Sequence, residues 1–223
     1  MNSGILIDTG HPCTHLAFLQ LRQRVASSCA SSALYPRHTS SKFLFLTSGA
    51  LYFFFEDKDD LFVSLVKEPL AGVREAMEMH FLGEKQAMES GELLSGEVQE
   101  GEADDYRTTL NIVHELYRYR DRFRLLLEKS QGSSVEGAVD EIVRICEGHY
   151  RMLADMMQQH IGGERIEHDV IHWIAHMQID VFVYAVTHID TEAEAVRYMG
   201  HAVKYMVCGW YGMFGVTPDT VGQ

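Results

Sequence analysis

The stretch TSGALYFFFEDKDDLF, residues 47–62, predicts a short helix, a tight break and the start of a longer helix. Thr47 can cap the short helix, because its hydroxyl can accept a hydrogen bond from an amide of the first turn. Gly49 and Ala50 place almost no side chain on that turn, so its backbone can approach another surface closely. Asp57 can cap the longer helix, and the acidic pair that follows suits the positive end of that helix.

Lys58 stands at the same positive helix end, where its charge needs a negative partner outside the protein, such as a DNA phosphate. The order of a small residue, Gly, Ala, Leu, Tyr and further aromatic residues, then Lys, an acidic pair and Leu, resembles the TetR family of transcriptional repressors. In that family the pattern spans the recognition helix and the start of the connecting helix. The alternative interpretation is an aromatic pair of helices with no DNA-binding role.

The resemblance implies a helix-turn-helix and assigns its DNA contacts. The predicted DNA-binding residues are Thr47, Ser48, Gly49, Ala50, Tyr52 and Lys58. Tyr52, Lys58 and the amide end at Thr47 are expected to hold phosphates. Ser48 and Ala50 are expected to face bases. The family often has Lys at the position of Ser48, so this chain lacks a polar contact there and we expect weak binding or an unusual operator.

Residues 1–46 depart from the family pattern for the first two helices. The run 26–32 is rich in Ser and Ala and only weakly helical, and Pro36 ends any helix that reaches it. Two explanations are open: simple divergence, or a frame-altered version of the two helices between about Gly10 and Phe45. Translation of the alternative frames of the encoding DNA distinguishes them, because a frame change predicts that another frame restores a family-like helix pair.

Composition indicates a globular protein with an acidic body. Of the 223 residues, 46% are hydrophobic, which is ample for a core, and the formal net charge of -13 argues against a general nucleic-acid coat. Residues 1–66 carry five basic and five acidic side chains of the totals of 19 and 32, so the net negative charge lies beyond the predicted DNA-binding region. Four dispersed Cys, no convincing signal peptide and no apolar run long enough to cross a bilayer predict a reduced, cytoplasmic protein with no membrane partner.

Beyond the opening motif the sequence predicts an almost entirely helical chain. Apolar residues recur at helical spacing over residues 62–81, and Pro69 is expected to disturb that helix because it lacks an amide hydrogen. The acidic segment 83–105, punctuated by Gly, predicts a loop with at most a short helix. Tyr106 marks the next helix.

Arg118–Arg124 is a basic cluster, for which we expect a turn whose arginines pair with acidic neighbours rather than a nucleic-acid patch. Residues 123–133 are similar to a segment common in TetR relatives. Ser134 is the predicted cap of a helix that runs to about His160 and ends before a Gly pair.

The last two predicted helices, Ile166–His188 and Thr191–Phe214, are apolar over more of their circumference than one core requires. In the TetR family the last two long helices pair with those of a second copy. The resemblance and the excess apolar surface together predict a two-fold homodimer, with Tyr205 and Trp210 near its interface.

The predicted helices that begin at Tyr106, Ser134 and Ile166 carry more aromatic and Met side chains than a single buried face requires. This excess predicts a small-molecule pocket where the three helices meet. The candidate effector-binding residues are Tyr117, Tyr150, Met152, Met156, Trp173, His176 and Met177. His176 is the expected polar contact, since its ring can donate or accept near neutral pH. Core packing is the alternative for any single member of this set.

His168, His172 and His176 step by four along one helix toward Asp180, a spacing that also occurs in metal sites. A line of three His is longer than one coordination sphere, so the preferred interpretation is a polar seam, with no metal and no cofactor. No phosphate loop, nucleophile elbow or Ser/His/Asp spacing is visible, which argues against an enzyme.

These observations predict an all-α chain with two domains. Residues 1–66 would form a three-helix helix-turn-helix domain with divergent first two helices, and residues 67–223 a larger helical effector-binding and dimerisation domain. The predicted function is a ligand-responsive repressor that binds a palindromic double-stranded DNA operator as a homodimer and is released by a small apolar or amphipathic effector. The alternative is a dimeric small-molecule-binding protein of the same fold with impaired or lost DNA binding.

Overall fold

The computed structural model describes residues 54–91 and 98–215, with side chains from residue 106 onward in the second range. Within these ranges the chain forms six α-helices and no β-strand, which confirms the all-α prediction. The helices are α1 (Lys58–Ser90), α2 (Val98–Arg118), α3 (Arg120–Lys129), α4 (Ala138–Ile161), α5 (His168–His188) and α6 (Glu192–Met213). The predicted DNA contacts Thr47, Ser48, Gly49, Ala50 and Tyr52, and the divergent segment 1–46, lie outside the described residues.

The start of α1 follows the sequence prediction. Asp57 caps the helix, since its Oδ1 atom accepts a hydrogen bond from the amide of Asp60 at 2.8 Å. Lys58 is the first helical residue and is exposed. The predicted domain boundary between residues 66 and 67 falls inside this continuous helix.

The prediction of a loop over residues 83–105 is wrong for most of its length. α1 continues through the buried Pro69 and on to Ser90, and α2 already begins at Val98 rather than at Tyr106. The segment after residue 83 consists largely of strong helix formers, whose propensity outweighs the single Gly83. Gly91 ends α1 in the left-handed conformation, with φ of 79°, where Gly has no steric penalty.

The turn predicted at the basic cluster is confirmed. α2 ends at Arg118 and α3 begins at Arg120. Arg118 lies 3.3 Å from a carboxylate oxygen of Glu115, and Arg124 lies 3.1 Å from one of Glu128. The cluster is therefore neutralised by acidic neighbours, as expected.

The later helix bounds agree with the prediction to within a few residues, with one exception. α4 begins at Ala138 and not near Ser134, because residues 131–137 form turns. The amide of Ser134 instead donates to Oδ1 of Asp59 at 2.9 Å, which ties this loop to the first turn of α1. This hydrogen bond lowers the pKa of the Asp59 carboxyl. Thr191 caps α6 by accepting from the amide of Glu194.

Each of the six described helices packs against at least two others. α2 lies against both α1 and α6, while α4 lies against α5, and α3 packs on α1 and α5. The largest buried cluster joins residues from α1 to α5, including Val66, Leu126, Val143 and Ala175. Each helix therefore buries one apolar stripe, and the stripes converge around the interior cavity described next.

Candidate functional site

A cavity of about 770 Å³, partly open to solvent, lies where all six described helices meet. Its volume falls within the range of roughly 300–1,000 Å³ that is usual for small-molecule sites. The lining is mostly apolar and aromatic, with Leu70, Val73, Met77 and Phe81 from α1, Ile112 and Leu116 from α2, Phe123 and Leu126 from α3, Ile142, Tyr150 and Leu153 from α4, Trp173, Ile174, Met177 and Phe182 from α5, and Tyr205, Met206 and Trp210 from α6.

One polar group stands out in this apolar wall. Glu84 is the one acidic side chain among the described residues that line the cavity. Its Oε2 atom lies 2.6 Å from Nε2 of His149 and 3.4 Å from Nε2 of His80. The His149 side chain, on α4, is only 4% exposed, and its ring stacks on that of Phe81 with 3.8 Å between the centroids. The stacked ring holds His149 in place, and the hydrogen bond in turn orients the carboxylate of Glu84.

The remaining polar lining is uncharged or exposed. Thr109 and Gln178 contribute neutral side chains, and Lys204 is an exposed residue of α6. Burial raises the pKa of the Cys146 thiol to about 12, so this side chain is a neutral thiol at physiological pH. The interior therefore offers a ligand a large apolar surface and a single carboxylate.

Three of the seven predicted effector residues line this cavity, namely Tyr150, Trp173 and Met177. They come from α4 and α5, where these two helices face α1 and α6. Tyr117, Met152, Met156 and His176 do not line the cavity. The structure therefore brings together part of the predicted set, and the contribution of each residue to effector binding stays a prediction.

Tyr117 has a clear structural position. Its hydroxyl is within 2.9 Å of the carbonyl oxygens of Ala185 and Ile189, so it joins the end of α2 to the end of α5. Burial raises the pKa of this hydroxyl, and the nearby positive charge of Arg120 opposes that effect. Arg120 itself donates to the carbonyl of Val186 at 3.0 Å, which strengthens the same junction.

The other three members are partly buried on α4 and α5 but do not line the cavity. Met152 and Met156 are partly buried and pack against the small cluster of Met88, Leu153 and Met157. His176 contacts its helical neighbour His172, with 4.6 Å between the ring centroids.

The histidine line on α5 forms a polar seam with α4. Glu147 accepts from Nδ1 of His172 at 2.9 Å, and its other oxygen lies 3.3 Å from Nε2 of His168. The hydrogen bond from His172 is the main cause of the lowered pKa of the Glu147 carboxyl. Within the described ranges, no group of three or more His, Cys, Asp or Glu is arranged to hold a metal ion.

The two predicted interface residues differ in their surroundings. Tyr205 is 67% exposed, whereas Trp210 is partly buried and packs against Tyr150 and Phe214. Both also line the cavity. Trp173 and Tyr184 on α5 are further large exposed apolar side chains, which agrees with the predicted excess of apolar surface on the last two helices.

Sequence reasoning missed the α1 side of the cavity, including Glu84. The α1 residues that line it share one helical face, with successive spacings of three or four residues except for one adjacent pair: Leu70, Val73, Met77, His80, Phe81, Glu84 and Met88. A charged residue inside an otherwise apolar periodic stripe is the signal that could have identified Glu84. It was overlooked because this part of the chain was assigned to a loop.

Comparisons with protein-family models, with curated proteins and with solved structures found no match to this chain.

α5 is long and apolar enough to cross a membrane, although the sequence analysis predicted no segment of that kind. It is the one such helix among the described residues, and a core helix of a soluble protein passes the same test. Here α5 packs against α2, α3, α4 and α6.

Proposed function

We propose that this chain is a ligand-responsive, DNA-binding transcriptional regulator of the TetR type, a repressor that binds a palindromic operator as a cytoplasmic homodimer. A small apolar or amphipathic effector would occupy the interior cavity and release the DNA. The observation that carries the proposal is the path of α1. This helix begins at the exposed Lys58, within the TetR-like stretch 47–62, and its later turns form one wall of the cavity.

α1 would couple effector binding in the cavity to DNA binding, because one helix reaches both regions. Its first turns are tied to the rest of the helical body by the Asp59 to Ser134 hydrogen bond and by Arg122, which lies 3.7 Å from Glu68. A ligand that pushes on Val73 or Met77 would therefore move α1 against these ties, and with it the DNA-binding segment at its start. A dimer binds DNA tightly only when the distance between its two recognition helices matches the half-site spacing. A small displacement of these helices is therefore enough to weaken DNA binding.

Selection of bound sequences from a random pool of double-stranded DNA tests the central claim. A regulator of this type should enrich a palindrome, and its binding should fall steeply with salt because phosphate contacts release counterions. Retention of an apolar probe without any DNA enrichment would instead support the alternative, a dimeric small-molecule-binding protein that has lost DNA binding.

Lys58→Ala and Tyr52→Phe should each weaken binding to all selected operators by a similar factor, because both side chains are assigned to phosphates. The Lys58 change should also reduce the slope of log affinity against log salt by about one unit. Electrophoretic mobility shifts on several operator variants measure both quantities. Lys67→Ala is the matched control, since Lys67 is exposed on the same helix but further from its start. A change in base preference would contradict the phosphate assignment.

Trp173→Ala should weaken binding of the apolar fluorescent probe diphenylhexatriene by roughly tenfold, because a large aromatic side chain leaves the cavity wall. Binding to the selected operator in the absence of probe should stay close to wild type. Fluorescence titration and mobility shifts measure the two affinities, and Trp173→Phe should restore most of the probe affinity. Parallel loss of operator binding and of helical structure in Trp173→Ala would show that this residue acts in folding and not in the pocket.

A further inference from the structure

We infer that the cavity selects a lipophilic organic cation, an apolar molecule whose positive charge lies beside the carboxylate of Glu84. The inference rests on the proposed function, in which the cavity binds an effector, and it names the chemical class of that effector. It depends on the position of Glu84, on the aromatic wall next to it and on the charge of the chain.

The carboxylate has an unused side. Both histidine nitrogens approach Oε2, at 2.6 Å from His149 and 3.4 Å from His80. Oε1 of Glu84 has no hydrogen-bond partner in the described part of the chain, and the side chain is 19% exposed while lining the cavity. A carboxylate oxygen in apolar surroundings is costly to leave unpaired, and the two histidines reach only Oε2. A cationic ligand group would supply that pairing, whereas an anionic group would meet repulsion.

Aromatic rings continue from Glu84 along the cavity wall. Phe81 stacks on His149, the ring of Tyr150 lies 5.7 Å from that of His149, and Trp210 lies 5.3 Å from Tyr150, all measured between ring centroids. Aromatic faces attract cations through their quadrupole, and they also bury an apolar body. This row therefore fits both parts of a lipophilic cation.

The charge of the chain favours the same ligand class. The formal net charge is -13, and an acidic protein raises the local concentration of cations and lowers that of anions. Lys204 is the one Lys or Arg among the described lining residues, and it is exposed on α6, where water screens its charge. Among the described lining residues, no buried Lys or Arg neutralises the negative charge of Glu84.

Three forms of one fluorescent probe test the inference on the full chain: diphenylhexatriene, its trimethylammonium derivative and its propionate derivative. The apolar body is the same in all three, so affinity differences report the head-group charge. The trimethylammonium form should bind about tenfold more tightly than the neutral form, and the propionate form should bind more weakly than either. Equal affinity for the cationic and neutral forms, or a preference for propionate, would overturn the inference and leave the proposed effector cavity intact. Binding of none of the three would overturn both.

Glu84→Gln identifies the residue responsible. The substitution keeps the shape and a hydrogen-bond acceptor for His149, so the ratio of the affinities for the trimethylammonium and neutral forms should fall from roughly ten to about one. Glu78→Gln removes the same charge from an exposed position on α1 and should retain the preference. A retained preference in Glu84→Gln would overturn the assignment to Glu84. If this variant does not fold, the comparison of the three probes on the wild-type chain still decides whether the cavity selects cations.

Discussion

Replacing Met157 with Ala is expected to lower the free energy of unfolding by about 2–5 kcal/mol, the usual cost of truncating a fully buried large side chain. Met157 is completely buried on α4, where it packs with Met88 of α1 and with Leu153. Trp210 and Phe214 pack against the same cluster, so truncation would remove contacts with several neighbouring side chains. Urea denaturation followed by circular dichroism measures the change.

Met79→Ala is the matched control for this prediction. Met79 is 70% exposed on α1, so removal of the same atoms should change the free energy of unfolding by no more than about 0.5 kcal/mol. Similar losses in the two variants would mean that the small cluster around Met157 does not hold α1, α4 and α6 together. A lowered midpoint with an unchanged denaturant slope would indicate that stability alone had changed.

Local sequence signals predicted much of the helical architecture. The cap at Asp57, the turn at Arg118–Arg124 and the ends of α5 depend on short-range chemistry, namely a side-chain acceptor, a break in apolar periodicity and the loss of helix formers. The acidic residues and Gly of the segment 83–105 predict a loop, but its helix formers keep residues 83–90 and 98–105 helical. Acidic residues on an exposed helical face do not prevent a helix.

The cavity was harder to predict because it depends on which faces of different helices meet. Tyr150, Trp173 and Met177 were identified as aromatic or Met residues in excess of a one-face stripe, and the structure places them on the cavity wall. Met152 and Met156 satisfy the same sequence criterion but lie to the side of it, since a difference of one position rotates a residue by about 100° around the helix. Residue type therefore indicated that a pocket exists, whereas helix orientation determined which residues line it.

Glu84 shows why the polar part of the site was missed. His80 precedes Glu84 by one helical turn on α1, so this pair has the local i,i+4 spacing. The contact of His149, on α4, with the same carboxylate is long-range and has no local sequence pattern. The histidine line on α5, in contrast, was visible in sequence because its members are spaced by four residues. The regular pattern proved to be a seam between α4 and α5, with Glu147 as its acceptor.

Tyr205→Glu is expected to convert the proposed homodimer into a monomer at micromolar concentration. Tyr205 is 67% exposed on α6, and the two-fold symmetry of a dimer would bring two new negative charges into one apolar interface. The dissociation constant should rise by about a hundredfold, which corresponds to roughly 2.7 kcal/mol. Light scattering across a concentration series measures the mass, and operator affinity should fall with it because two linked recognition helices are required.

A single substitution is more informative here than a double change at Tyr205 and Trp210. Trp210 is partly buried and packs on Tyr150 and Phe214, so a charge at that position would disturb the packing of the monomer as well as any interface. Tyr205→Phe is the control, since it keeps the ring and adds no charge, and it should remain dimeric. An unchanged mass for Tyr205→Glu in a folded protein would place the dimer contact on another surface. The exposed Trp173 and Tyr184 of α5 would then be the next positions for a charge substitution.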